Sequence, residues 1–267
     1  MATQLDKILA QTLLTITDRK REANLPLLER QAADHRPRGF TANLRKAATL
    51  GPAVIAELKR ASPSKGMLRD VYTPVSIAMG YEGAGAAAIS VLTDGPFFKG
   101  SLEDLVQVAT AVKIPVLRKD FIIDPLQILE ARAAGADAIL LIVAAHTDPD
   151  LLSLAKSAQE LNLDVLCEVH DAEELKRAID LGFEVIGVNS RDLKTLEVHP
   201  SRHEELIAGM PANVIRVAES GIRTALDVQR LLKSGFDAFL VGEALMRQPD
   251  PAAALALLMD KDYATGA

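Results

Sequence analysis

Residues 130–143 read EARAAGADAILLIV. A helix-like segment runs into Gly135, a small and an acidic residue follow, and an apolar run begins. Glycine suits the left-handed position just past a helix end. A short apolar run without alternation suits a strand buried on both faces, as in a parallel sheet. The same order recurs in YEGAGAAAISVLTD (81–94), RAIDLGFEVIGVNS (177–190) and RLLKSGFDAFLVGE (230–243). Four more apolar runs complete the series: AVIAEL (53–58), IPVLRK (114–119), DVLCEV (164–169) and NVIRVAE (213–219). Strands are therefore expected to start near 53, 87, 114, 137, 164, 184, 213 and 237. Helix-like segments such as SLEDLVQVATAV, DLLSLAKSAQEL and AEELKRAID separate them. Strands and helices alternating in this way predict an α/β fold, a (β/α)8 TIM barrel. An open doubly wound sheet is the alternative. It is disfavoured because no GxGxxG follows the first strand and no composition shift marks a second domain.

The 267 residues are read as a single domain, with a helical extension over 1–50 and the barrel over 51–267. In the extension, LDKILAQTLLTITDRKREA reads as a helix, NLPLLERQAA as a second segment, DHRPRGF as a turn and TANLRKAATLG as a short helix. The extension is expected to pack against the barrel. The chain is 49% hydrophobic and 25% charged, with a formal net charge of −6. That balance argues against nucleic-acid binding, which usually needs a basic face. The single cysteine, Cys167, excludes an intrachain disulfide and a cysteine-rich metal site. The N-terminus lacks a basic segment followed by a continuous apolar core, and no apolar stretch of about 18 residues occurs. A cytoplasmic protein with no membrane partner is expected, as a monomer or weak homodimer.

Catalytic groups of such barrels sit at the C-terminal ends of the strands. The first strand ends in Glu57 and Lys59, the third in Lys119, the fifth in Glu168. The sixth leads to Asn189 and Arg191, the seventh to Glu219 and Ser220, and the eighth to Gly242 and Glu243. Side chains two apart on a strand share a face, so Glu57 and Lys59 point together, while Arg118 points away from Lys119. The plain alternative is a set of rim salt bridges, Glu57 with Lys59 and Lys119 with Asp120 or Glu168. Opposite charges crowded at one rim shift pKa values and are candidates for acid–base work. SGI (220–222) and VGEALM (241–246) follow the last two strands. There, backbone N–H groups often bind phosphate, although glycine also simply permits tight turns. Ser62 adds a hydroxyl from the first loop. Phe97 and Phe98 either line a ring-shaped ligand or cap the core. Cys167 is read as core, and His146, His170, His199 and His203 lack metal-ligand spacing.

VIAELKRASPSKG, AAISVLTDGPFFKGSLEDL, VLRKDFIIDPLQILEARAAGADAILLI, VNSRDLKTLEV, ESGI and FLVGEALM, in this order, resemble the indole-3-glycerol phosphate synthase family. The LDKIL…KREA segment resembles its N-terminal helices. The resemblance implies ring closure, decarboxylation and dehydration of 1-(2-carboxyphenylamino)-1-deoxyribulose 5-phosphate, in tryptophan biosynthesis, without cofactor or metal. It implies Lys119 as general acid and Glu168 as general base. Lys59 and Arg191 would hold the substrate carboxylate, with Glu57, Asn189 and Glu219 as orienting groups. Ser62, Ser220, Gly221, Gly242 and Glu243 would face the phosphate, and Phe98, Phe121, Leu193 and Leu240 the anthranilate ring. Where the family often has a second asparagine, this chain has Ser190, aimed away from Asn189. Rival readings are an Amadori isomerase of the same barrel type, a Schiff-base aldolase using Lys119, and a barrel that binds a ligand without catalysis.

Overall fold

The computed structural model describes residues 3–260. Its barrel strands are β1 Ala53–Leu58, β2 Ala88–Leu92, β3 Val116–Lys119, β4 Ala138–Ile142, β5 Asp164–Val169, β6 Val185–Asn189, β7 Ile215–Glu219 and β8 Ala238–Val241. Neighbours pair in parallel, and β1 also pairs with β8, Ala53 opposite Ala238, so the sheet closes. Helices occupy the connections. The fold is the expected (β/α)8 barrel. The strand expected near 114 begins at 116. The Lys113 and Ile114 N–H groups instead donate to the Glu82 side chain at 2.7 and 3.0 Å, and Pro115 has no N–H for a ladder. One feature went unread in the sequence: the loop after β1 folds into a small hairpin, Ala61–Ser62 against Gly66–Met67.

Period-two alternation sorts each strand into two apolar layers. Ala53, Ile55, Leu117, Leu140, Leu166, Val217 and Leu240 fill the barrel interior. Val54, Leu58, Val91, Ile139, Cys167 and Ala218 face outward, into the core shared with the helices. Because both faces are apolar, the strands read as continuous runs. The inward register shows in the sequence only where a charge interrupts it.

The extension forms α1 Gln4–Glu22, α2 Leu25–Asp34 and α3 Phe40–Ala48. A capping box between Thr3 and Asp6 starts α1. Its Leu5, Ile8, Thr12 and Ile16 are buried, spaced at three and four residues as one helical face requires. Phe40 and Leu44 of α3 are fully buried in the inner layer with Ala53, Ala138 and Ala238, near the strand starts. Acids at those starts anchor the chain: Asp164 accepts from Thr41 N–H at 2.8 Å, and Asp137 from Arg38 N–H at 2.7 Å. Helix α3 thus closes the N-terminal end of the barrel, whereas Ile8 of α1 reaches the C-terminal mouth.

Candidate active site

Alternation on β1, β3, β5 and β7 carries Glu57, Lys119, Glu168 and Glu219 into the mouth, and β6 adds Asn189. Lys119 Nζ stands 3.0 Å from Glu168 Oε2 and 3.6 Å from Glu219 Oε2. Lys59, one residue beyond β1, stands 3.2 Å from Glu57 Oε1 and 5.6 Å from the centre of the Phe98 ring. Two glycines make room for the acids. A Cβ on Gly187 would collide with the Glu219 carboxylate, and one on Gly242 with that of Glu57.

These charges set one another's protonation. Burial pulls Lys119 down, but Glu168, Glu219 and Glu57 outweigh it and hold the ammonium above its ordinary value. Burial pushes Glu168 up, but Lys119 and His170 outweigh it, so this carboxylate stays ionised. Glu219 is raised, by burial first and then by Glu168, against the pull of Lys119. One lysine is thus kept charged between an ionised acid and one that holds a proton more readily. Arg118, the neighbour of Lys119, points to the other face. It is fully buried and bonds Thr93, Asp120 and the Gln127 carbonyl. Asp120 therefore pairs with Arg118 at 2.9 Å, and Lys119 with Glu168.

Two cavities meet at this cluster, sharing Glu57, Lys59, Arg191, Ser220 and Leu240. The smaller, about 90 Å³, is lined by Phe98, Phe121, Leu193 and Leu240 with Ile8, Leu140 and Ile142. Ser62 lies here, its hydroxyl buried without a hydrogen-bond partner. Ser220 lines the same cavity. The larger cavity, about 310 Å³, is bounded by Ser220, Gly221, Gly242 and Glu243 and by Lys59, Arg191, Arg223 and Arg247. Ser220 and Gly221 both take left-handed backbone, with φ of 63° and 73°. That conformation is costly for serine and characteristic of functional turns. Gly242 precedes a short helix, Glu243–Met246, whose first N–H groups have no intrahelical acceptor.

Arg191 spans the junction. Its guanidinium donates to the Leu196 carbonyl at 2.9 Å and reaches Glu243 Oε2 at 3.4 Å. Asn189 Oδ1 accepts from Arg191 N–H at 3.0 Å. Ser190 is fully buried and donates to the Glu219 carbonyl at 3.2 Å. Sequence reading missed Ile8, Leu140, Ile142, Arg223, Arg247 and His170. Arg223 directly follows ESGI, so the sequence carries a local signal for it. Ile8 was not, because nothing local says that α1 crosses the mouth. Cys167 lies in the outer layer with its thiol pushed up by burial, which removes the cysteine an Amadori isomerase would use.

The fold, with lysines and glutamates paired and buried at its C-terminal mouth, is that of an enzyme of the (β/α)8 barrel class. Comparison with known proteins narrows this. Residues 5–258 match the family model for indole-3-glycerol phosphate synthase. A protein of that name from Koribacter versatilis is 53% identical over 96% of this chain and 98% of its own length. Another, from Polynucleobacter necessarius, is 46% identical over 97% and 99%. Among solved structures, thiamine phosphate pyrophosphorylase from Pyrococcus furiosus aligns with a TM-score of 0.58 at 18% identity, covering 78% of this chain and 93% of its own, a likeness of fold alone. The chain belongs to the indole-3-glycerol phosphate synthase family, and is a carboxy-lyase of tryptophan biosynthesis.

Proposed function

We propose that this mouth turns 1-(2-carboxyphenylamino)-1-deoxyribulose 5-phosphate into indole-3-glycerol phosphate, CO2 and water, with Lys119 as general acid and Glu168 as general base. The observation that carries the reading is the position of Lys119, 3.0 Å from Glu168 inside the smaller cavity, which shares Lys59 and Arg191 with the larger, cation-lined one. The phosphate is assigned to the larger cavity, on N–H groups around Gly221 and Gly242, with Ser220, Arg223 and Arg247 around it. The anthranilate ring is assigned to the smaller cavity, between Phe98, Phe121, Leu193 and Leu240. Its carboxylate meets Lys59 and Arg191, with the free hydroxyl of Ser62 on the same side. Glu243 holds Arg191 and Arg247 rather than the anion itself.

Gripping the substrate at both ends bends it toward attack. As the ring carbon attacks the ketone, negative charge grows on the carbonyl oxygen. A preorganised ammonium there is worth roughly 3–4 kcal/mol, by analogy with a single oxyanion donor. The bond to the carboxylate then returns its electron pair to the ring, and CO2 leaves. Loss of the hydroxyl as water and of a proton from the adjacent methylene carbon, the one bonded to nitrogen, completes the indole. Acid–base assistance in such steps contributes about 10²–10⁴-fold. Glu57 holds Lys59, and Glu219 and Asn189 orient the groups around Lys119 and the departing hydroxyl.

We read the extension and barrel as one domain, and the protein as a cytoplasmic monomer or weak homodimer. Among the described residues no helix is long and apolar enough to cross a membrane. The experiment is direct: purified protein and substrate alone should yield indole fluorescence. Borohydride trapping of a substrate adduct on Lys119 would instead support the aldolase reading and overturn this one.

A further inference from the structure

Each oxygen of Glu168 has a basic partner. Lys119 holds Oε2 at 3.0 Å, and His170 Nε2 stands 3.3 Å from Oε1. His170 is two residues along from Glu168, just past β5, so both point to the same side. The other ring nitrogen, Nδ1, lies 3.0 Å from Glu174 Oε2, and the same oxygen accepts the His170 backbone N–H at 2.8 Å. Glu174 sits in the first turn of the following helix, Ala172–Asp180, with its side chain 14% exposed. A line of ionisable groups therefore runs from the surface to the reacting centre: Glu174, His170, Glu168, Lys119. The Nε2 contact is an ion pair not yet aligned as a hydrogen bond, and a small turn of the carboxylate would align it.

The reaction makes this line useful. The substrate carboxylate carries a negative charge and leaves as neutral CO2, so charge balance requires one proton from solvent in each turnover. Counted by step, one proton goes to the ketone oxygen and one to the departing hydroxyl, while only one returns, from the methylene carbon bonded to nitrogen. The Lys119–Glu168 pair thus ends a cycle one proton short. We propose that His170 is the positioning residue for Glu168 and the proton source that recharges the Lys119–Glu168 pair. Its Nε2 proton moves to Glu168 and on to the lysine, and the neutral ring regains a proton from solvent between turnovers. This rests on the acid–base roles proposed above.

The charged groups facing the ring are Glu168 from β5 and Glu174 from the following helix, with Lys119 and Glu219 behind Glu168. Burial pulls the ring down, but the two carboxylates outweigh it and raise His170 to about 9. The test is the pH dependence of indole production by the full chain as wild type, His170→Asn and Glu174→Gln. The wild type should lose kcat along an alkaline limb near pH 9. Glu174→Gln keeps the ring and its shape but removes one of its two carboxylates, so the limb should move down by about one pH unit. His170→Asn should lower kcat about tenfold or more, leave KM within about twofold, and enlarge the solvent deuterium isotope effect on kcat. Wild-type kcat and an unshifted limb in both variants would overturn the inference. Should His170→Asn fail to fold, the limb of Glu174→Gln decides alone. A wild-type protein without turnover would overturn the residue roles together with this inference, and that result needs no variant.

Discussion

Arg118 and Lys119 are adjacent, both cationic and both at the end of β3, yet they belong to different problems. Alternation sends Lys119 into the mouth and Arg118 into a buried network with Thr93, Asp120 and Glu130. Arg118→Met should cost about 3–5 kcal/mol, because it strands buried carboxylates. Thermal unfolding would register the loss, while KM of the surviving folded fraction stays near wild type. Glu57 presents the opposite case. It stands 3.2 Å from Lys59 and is 3% exposed, so its charge keeps a neighbouring ammonium aimed. Glu57→Gln should lower kcat/KM about tenfold or more with little change in melting temperature, and unchanged kcat/KM would remove that role. At this scale much was legible, because a charge inside an apolar strand announces its own direction. His170 was not. It looked like one more isolated histidine, and only the fold shows that the turn after β5 brings Glu174 back onto it.

Among elements, the strands could be read from the glycine-punctuated repeat because a doubly buried strand needs an unbroken apolar run. Their starts were less sharp, since side-chain acceptors such as Glu82 compete for the first N–H groups. Helix α1 was readable as a helix but not as part of the site. Its amphipathic face gives no hint that Leu5 and Ile8 join the interior of the barrel rather than its flank. Ile8 lines the smaller cavity with Phe98 and Phe121. Ile8→Ala should therefore raise KM several-fold through lost ring contact while kcat holds within about threefold, since deleting apolar contacts in a pocket is worth roughly 1–3 kcal/mol. Steady-state kinetics separates the two, and a fall in kcat with constant KM would contradict this role for α1. The hairpin after β1 was hidden because its strands are two residues each, too short for any periodicity.

For the whole molecule, the buried charges make stability depend on pH in a definite sense. His170 is raised from 6.5 to about 9, so its contribution is complete below about pH 6.5 and is lost as pH rises through 9. Glu219, also raised, acts in the same direction. Glu168 is lowered from 4.5, so its contribution is present above that value and is lost as pH falls through its lowered value. Melting temperature should peak on the acid side of neutrality and decline toward pH 9, and a rise between pH 6.5 and 9 would contradict these assignments. The central claim concerns what the same charges do to substrate, and it is tested most directly at Lys119. Fluorescence assay of Lys119→Ala should find nearly all turnover gone while a phosphate-bearing substrate analogue still binds within about threefold of wild type. Full turnover in Lys119→Ala would contradict the account.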